Sequence, residues 1–249
     1  LTPVIRRMKG GLPPLLPGYR VKILDGNHLG RTQRRLKPLR DVAAGALPGQ
    51  TLVVLDPELS LAIDVVCCED GHAQERSLLD AIIAAMDARD VYIADRNFCT
   101  TRFLFGIAER SAYFIIRQHA STLRWRREST RRRIGRIDTG TLYEQTLWLE
   151  NESDQTFPVR RITLVLDKPT RDGETEIHLL TNLPAQDADA PKVAKLYRER
   201  WSIEGLFQDL TMILQCEVNS LAYPKAALFG FCVALATSNV YATVKASLR

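Results

Sequence analysis

Two aspartates each close a short apolar run. Asp25 ends the run VKILD and is followed by Gly-Asn, and Asp95 ends the run VYIAD and is followed by Arg-Asn. If these runs are parallel neighbouring strands, both carboxylates leave the same sheet edge, and one of them holds a proton unless cations neutralise the pair. Oxygen ligands without His or Cys suit Mg²⁺ or Mn²⁺ rather than zinc. Ordinary strand-end aspartates are the alternative, because Asp56 and Asp64 stand in similar runs.

A third carboxylate lies in a segment with helical periodicity. In YRERWSIEGLFQDLT, the residues Tyr197, Arg200, Glu204 and Thr211 recur at i, i+3, i+7 and i+14, within about 60° of one helical face. A core-like apolar stripe beside this face comprises Leu196, Ile203, Phe207, Leu210 and Leu214. The pattern predicts one long helix over about 191–214 that presents a phenol, a guanidinium and a carboxylate to a common site. A solvated face with an Arg200–Glu204 ion pair is the alternative.

Positive charge is concentrated in two blocks, although the net charge of the 249 residues is only +5. Residues 1–40 and 96–137 each carry +9, whereas residues 41–95 carry −9. The densest segment, RWRRESTRRRIGR at 124–136, contains Trp125 and seven arginines, among them Arg124, Arg126, Arg127, Arg131, Arg132 and Arg133. No basic amphipathic helix or lipidation signal accompanies these blocks. They therefore favour contact with nucleic-acid phosphates, here and at the basic stretch 31–40, over a membrane or a solvated loop.

The elements that must position these groups are of mixed α/β order. Strand-like runs are predicted at 19–25, 52–55 and 61–67, a helix at 76–87, a strand at 91–94, a helix at 101–110 and a strand at 112–117. Further strands are predicted at 141–149, 159–166 and 176–180, before the helical pattern returns. We divide the chain into an N-terminal segment (1–18), the first part of a core (19–121), a β-rich insertion (122–185) and a helical completion (186–249).

Several features limit the class of protein. The five cysteines are an odd number without metal-ligand spacing, which favours a reducing compartment and argues against structural zinc. No secretion signal is present, and the first residue, Leu1, indicates that the sequence begins inside a longer protein. The apolar stretch 226–244 is interrupted by polar residues, so we predict a buried core helix rather than a membrane span.

The motifs resemble those of the DDE transposases of bacterial insertion sequences, in the group called insertion-sequence-four. The resemblance is carried by DGNHL at 25–29, ADRNFCT at 94–100 and Y-x2-R-x3-E at 197–204, and it extends from about residue 19 to the C-terminus. It implies a ribonuclease-H-like core whose catalytic carboxylates, Asp25, Asp95 and Glu204, bind two Mg²⁺ ions, with Mn²⁺ as a substitute. The β-rich insertion then falls between the second and third carboxylates.

The resemblance also implies an activity and partners. The chain is expected to catalyse metal-dependent cleavage at transposon ends and strand transfer into target DNA, as a homodimer in the bacterial cytoplasm. Tyr197, Arg200 and Trp201 are expected to contact DNA beside the cut. The sequence departs from the family motif at Thr211, where the family has Lys. Two other functions stay open: a decayed, transposase-derived DNA-binding protein, and a ribonuclease-H-like nuclease without strand transfer.

Overall fold

A computed structural model of the chain describes Arg7 and residues 13–29, 48–119, 123–217 and 223–247. These residues form a mixed α/β structure, as the sequence predicts. The chain divides into two compact units: a first unit of Leu1–Pro14, Ile23–Ile82 and Trp201–Arg249, and a second unit of Leu15–Lys22 and Ile83–Arg200. The basic stretch 31–40 and most of the predicted segment 1–18 lie outside the described residues.

Three antiparallel strands belong to the first unit, although β1 begins in the second. They are β1 (Arg20–His28), β2 (Pro48–Asp56) and β3 (Leu61–Asp70). β2 pairs with both of the others, from Ile23↔Leu55 to His28↔Gln50 on one side and along β3 on the other. Residues 52–55 of this central strand are all at most 2% exposed. The run LVVL is continuous because a strand buried on both faces needs no polar alternation.

Two helices complete the first unit, α4 (Trp201–Met212) and α5 (Pro224–Ser247). Helix α5 packs on β2 and β3, and Asn239 takes the place of a neighbouring strand at the β3 edge. Its Oδ1 accepts a hydrogen bond from the Ala62 N–H at 2.9 Å, and its Nδ2 donates to the Ala62 carbonyl at 2.7 Å. A polar residue inside the apolar helix therefore serves to dock it.

Helix α5 is buried along one side only. Its outward side exposes large apolar residues, which are Phe229, Val233, Val240, Tyr241 and Val244. By length and composition, Pro224–Lys245 is apolar enough to cross a membrane, and 28% of the apolar window is buried. This is weak support for a membrane span, because core helices of soluble proteins meet the same criterion.

The second unit contains a mixed sheet. Its strands are β4 (Asp90–Ala94), β5 (Tyr113–Arg117), β6 (Arg124–Glu128), β7 (Arg132–Ile137), β8 (Gly140–Glu150), β9 (Thr156–Leu166) and β10 (Glu176–Thr181). β4 and β5 are parallel, and antiparallel pairing continues through β10, β9 and β8 to β6, with β7 also on β8. The strands predicted at 91–94, 112–117, 141–149, 159–166 and 176–180 are all present.

Helices flank these strands where the sequence places capping residues. Helix α1 (Leu79–Ala84) crosses the division between the units and is shorter than predicted, because a 3₁₀ turn, Glu75–Leu78, precedes it. Helix α2 (Thr101–Glu109) connects β4 to β5, and the Thr100 hydroxyl accepts from the Phe103 N–H at 3.3 Å. Helix α3 (Ala190–Arg198) is capped by Asp189, which accepts from the Lys192 N–H at 2.9 Å.

A buried carboxylate ties the start of β1 to the start of β4 within the second unit. The side chain of Asp90 is 0% exposed, and its oxygens accept from Arg20 Nε and Lys22 Nζ, both at 2.7 Å. The ammonium of Lys22 also lies 5.4 Å from the centre of the Tyr92 ring. Because a buried carboxylate is costly without a cation, these contacts are what allow Asp90 to begin a fully buried strand.

One expectation from the sequence is wrong in detail, and one alternative reading is wrong as well. The single long helix over 191–214 is interrupted: α3 ends at Arg198 and α4 begins at Trp201, with a turn between them. The common helical face inferred for Tyr197, Arg200 and Glu204 therefore does not exist as a continuous face. The arginine-rich segment is not a loop, since it forms β6 and β7, whose residues are mostly exposed. Exposed edge strands lack the apolar alternation that sequence analysis uses to find strands.

Candidate active site

Asp95 directly follows β4, whose five residues are all buried. Its Oδ1 accepts a hydrogen bond from the Asn97 N–H at 2.5 Å, which caps the short 3₁₀ helix Arg96–Phe98. Phe98, at the end of this turn, is fully buried and anchors it. The carboxylate of Asp95 is thus held at the carboxyl end of a rigid strand, half-exposed to solvent.

A basic side chain, that of Arg117, lies at the carboxyl end of the neighbouring strand β5. β4 and β5 are parallel with Ala94 opposite Ile116, so Asp95 and Arg117 occupy the next position in register. Parallel strands bring the residues that follow them to one sheet edge, as the sequence argument assumed for two aspartates. At the carboxyl ends of β4 and β5, an aspartate therefore lies beside an arginine.

Tyr197 and Arg200 lie in the same unit as Asp95. The Arg200 N–H donates to the Tyr197 carbonyl at 3.1 Å in the turn that ends α3, and the Arg200 guanidinium donates to the Tyr197 phenol oxygen. Arg200 is 8% exposed, so this side chain is packed rather than solvated. The predicted alternative of a solvated face with an exposed ion pair is therefore wrong for Arg200.

The two charged groups at the carboxyl ends of β4 and β5, Asp95 and Arg117, both shift the pKa of the Tyr197 phenol. Burial raises its pKa to about 12; Arg200 opposes this rise, Asp95 adds to it, and Arg117 opposes it more weakly. Tyr197 is therefore a neutral hydrogen-bond donor at physiological pH. The second unit brings together Asp95, Tyr197 and Arg200, which are three of the predicted site residues.

Glu174 adds a carboxylate to this cluster that sequence analysis did not select. Its Oε1 accepts from Arg96 Nη1 at 3.3 Å, and its Oε2 accepts from Arg117 Nη2 in a short contact. Glu174 lies in the turn between β9 and β10, 79 residues after Asp95 in sequence number. No local pattern could have linked it to the motif around Asp95.

Asp25 lies in the first unit, within β1. It stands opposite Val53 of β2, is half-buried, and accepts the Gly26 N–H on Oδ1 at 2.9 Å. A side chain on Gly26 would meet Glu75, because an added Cβ would lie 1.9 Å from Glu75 Oε1. The glycine after Asp25 therefore lets a further carboxylate approach, and this role was not evident from the sequence.

The other predicted residues of the first unit belong to α4. Glu204 is half-buried in the first turn, whereas Trp201 at the helix start is 62% exposed. Trp201 is therefore not part of the core. Near the end of α4, the Thr211 hydroxyl bonds to the thiol of buried Cys216, whose pKa is raised by burial. Thr211 thus has a structural contact where the family has Lys.

The arginine-rich strands β6 and β7 divide into paired and unpaired members. Paired side chains include Arg131 with Glu176 at 3.2 Å, Arg136 with Asp167 at 2.7 Å and Arg132 with Glu144 at 3.7 Å. Arg127 stacks instead on an aromatic ring, with its guanidinium carbon 3.7 Å from the centre of Trp148. Three exposed side chains make no ion pair or hydrogen bond with any other described residue, and these are the side chains of Arg124, Arg126 and Arg133.

Comparison with known proteins decides the family. Residues 17–239 match the family model described as the transposase DDE domain. The chain belongs to this family. The resemblance drawn from the three motifs is thereby confirmed at the level of the family.

Individual relatives cover only part of the chain. The transposase for insertion sequence element IS421 of Escherichia coli is 27% identical over 180 aligned positions, which cover 57% of this chain and 47% of the relative. The protein InsL of E. coli strain K12, which is named as a transposase for insertion sequence element IS186A, has the same identity, and the alignment covers 57% of this chain and 48% of InsL. The protein y4zB of Sinorhizobium fredii is 32% identical over 127 positions, covering 50% and 34%. The chain thus spans about half the length of the first curated relatives it matches.

The donor chemistry of this transposase domain fits a hard divalent cation. As a family, DDE transposases use divalent metal ions. Asp25, Asp95 and Glu204 offer half-exposed carboxylate oxygens, from within β1, from the position directly after β4 and from within α4, and this is the donor type that Mg²⁺ prefers. Among the described residues, no group of three or more His, Cys, Asp or Glu side chains is gathered closely enough to hold a metal ion. The assignment of metal ligands therefore stays a prediction from the motifs.

Proposed function

We propose that this chain is the catalytic part of a DNA transposase that cleaves DNA at transposon ends and transfers the freed strand into target DNA. The observation that supports it most directly is the cluster of Asp95, Tyr197 and Arg200 at the carboxyl end of β4, in a chain that matches the DDE domain over residues 17–239. Transposases act on DNA, so double-stranded transposon-end and target DNA are the partners.

Three carboxylates would hold the metal. Asp25, Asp95 and Glu204 match the family motifs in order, and each is a half-exposed oxygen donor. Two bound Mg²⁺ ions, or Mn²⁺ in their place, would supply charge neutralisation at the attacking and leaving oxygens of a phosphodiester. The backbone hydrogen bonds to Asp25 and Asp95 orient these two carboxylates before any ligand binds.

The neighbouring side chains would bind and orient DNA. Arg200, held by its packing against Tyr197, offers a planar fork suited to a phosphate, and Tyr197 offers a neutral hydroxyl donor. Exposed Trp201 offers a face on which a base can stack. The arginines of β6 and β7 would contact phosphates farther along the duplex, which increases affinity without reading sequence.

Finer features of the architecture belong to the same proposal. We assign the core to the ribonuclease-H-like class and the chain to the insertion-sequence-four group. Strands β6 to β10 would form the β-rich insertion (122–185) between the second and third catalytic carboxylates, and 186–249 would complete the core begun at 19–121. Paired-end chemistry requires two active sites, so a homodimer is the proposed active form, acting in the bacterial cytoplasm.

Metal binding and DNA cleavage test this function together. Fe²⁺ substituted for Mg²⁺ generates hydroxyl radicals with ascorbate and peroxide, and these cut the protein backbone beside the bound ion. We expect fragments that end near residues 25, 95 and 204, together with Mg²⁺-dependent cleavage of a plasmid carrying the inverted repeats that flank the coding sequence. D25N, D95N and E204Q should each lose both signals while they remain folded and bind DNA.

The control variant is D64N, which removes a carboxylate of β3 whose only hydrogen bond with a described residue comes from the local Val65 N–H. Full cleavage by D95N would remove Asp95 from the site. Joining of a precut donor end to target DNA separates a transposase from a nuclease without strand transfer. DNA binding with neither cleavage nor backbone cutting would instead support the decayed, DNA-binding protein.

A further inference from the structure

A single carboxylate bridges the two arginines that flank Asp95. Glu174 accepts a hydrogen bond from Arg96 on Oε1 at 3.3 Å and another from Arg117 on Oε2, so each of its two oxygens binds a different guanidinium group. The side chains are partly exposed, 50% for Arg96, 23% for Arg117 and 33% for Glu174. The bridge is therefore open to solvent and to a ligand.

The two arginines reach this point from elements that adjoin Asp95. Arg96 is the residue after Asp95 and the first of the 3₁₀ turn that Asp95 caps. Arg117 is the last residue of β5 and stands in register beside Asp95. The effects of Asp95 and Arg117 on the pKa of Tyr197 place these two residues near one phenol, and Glu174 joins Arg96 to Arg117. The paired guanidiniums thus face the same edge as the proposed chemistry.

A carboxylate and a phosphodiester present similar forks of two anionic oxygens. Arginine binds either of them through parallel N–H donors, and two arginines around one anion are typical of phosphate sites. We propose that Arg96 and Arg117 form a binding site for one DNA phosphate beside Asp95, and that Glu174 occupies this site until DNA displaces it. This inference rests on the proposed function, because it names a contact and a form of regulation for the same site.

The exchange needs only a side-chain movement. The backbone of Glu174 is held by the turn itself: its N–H donates to Thr170 Oγ1 at 3.1 Å, and its carbonyl accepts from the Thr170 N–H at 2.9 Å. Gly173, with φ of +81°, makes this tight turn possible. Rotation of the Glu174 side chain would release both arginines while the turn stays in place. The site would then gain one positive charge, which a phosphate neutralises.

The test compares DNA affinity with and without the competing carboxylate. Dissociation constants for a short duplex are measured by fluorescence anisotropy at low salt and without divalent metal. E174Q should bind about threefold to tenfold more tightly than the wild type, the range expected when one partly exposed ion pair no longer competes. R96Q/R117Q should bind more weakly than the wild type, and R96Q/R117Q/E174Q should match R96Q/R117Q because the gain requires the two arginines that Glu174 holds.

D172N is the matched control. Asp172 lies in the same turn, is exposed, and has no ion pair with any described residue, so its loss changes the overall charge equally. Equal tightening by D172N and E174Q would overturn the inference in favour of a general charge effect. A gain that persists in the R96Q/R117Q background, or no gain at all, would overturn it as well.

Failure of this inference differs from failure of the proposed function. A chain that binds DNA, and whose E174Q variant binds no more tightly, refutes the role of Glu174 alone. A wild-type chain without measurable DNA binding refutes the function on which it rests. Thermal melting checks the fold of each variant, and E174D, which keeps the charge but shortens the side chain, should show a smaller gain and replaces E174Q if that variant does not fold.

Discussion

The arginines of β6 and β7 offer a quantitative test of DNA contact, because the structure separates them by partner. Arg124, Arg126 and Arg133 are exposed and make no ion pair with other described residues, so each is available to a phosphate. The triple variant R124Q/R126Q/R133Q should therefore weaken binding to all duplex sequences alike. It should leave the melting temperature unchanged, since no described partner is lost.

The magnitude follows from counterion release. Each phosphate contact contributes about 0.9 to the slope of log K against log salt on duplex DNA, so loss of three contacts should reduce that slope by about 2.7. Over a tenfold rise in salt, the wild type should then lose about 500-fold more affinity than the variant. Anisotropy titrations with one duplex at several salt concentrations measure the slope directly.

A second triple variant, R127Q/R131Q/R136Q, is the matched control. Its arginines have partners in the protein: a Trp148 ring for Arg127, Glu176 for Arg131 and Asp167 for Arg136. Each exposed contact of this kind contributes roughly 0.5–1 kcal/mol, so this variant should melt at a lower temperature and change the slope less. An unchanged slope in the first triple, or equal slope changes in both, would contradict the assignment of the unpaired arginines to DNA.

Three further predictions follow from single contacts. The raised pKa of Tyr197 means that its phenol favours the folded state fully below pH 10 and loses this contribution as the pH rises towards about 12, so Y197F should flatten that part of an alkaline stability curve measured by urea unfolding. D90N should lower the free energy of unfolding by about 3 kcal/mol, which is the lower end of the range for a broken buried ion pair. The reason is that Lys22, only 15% exposed, loses its carboxylate partner. A loss below about 1 kcal/mol would contradict this. T211K should change DNA cleavage by less than about twofold. It should lower the free energy of unfolding by about 1 kcal/mol, because the contact with Cys216 is lost. A tenfold gain in cleavage at physiological salt would instead support the decayed, transposase-derived DNA-binding protein.

Local sequence patterns predicted most of the elements and the family. The strand before Asp95, the helix at 101–110 and the three strands after residue 140 were all evident, because apolar periodicity is a property of a few consecutive residues. The motifs around Asp25, Asp95 and Glu204 were sufficient to identify a DDE transposase. Their roles as metal ligands stay a prediction.

Tertiary structure decided what no local pattern contains. The helical period of the sequence continues through Arg200, although the structure has a turn there. Sequence analysis missed this turn because periodicity indicates only which side chains face the core.

Pairing across the sheet likewise determined which arginines of β6 and β7 have acidic partners and which remain exposed. Glu174 meets Arg96 and Arg117 only because β10 lies beside β5, a contact between residues far apart in the chain. The sequence by itself thus determined the family and most of the elements, whereas long-range strand pairing determined which charges stand beside Asp95.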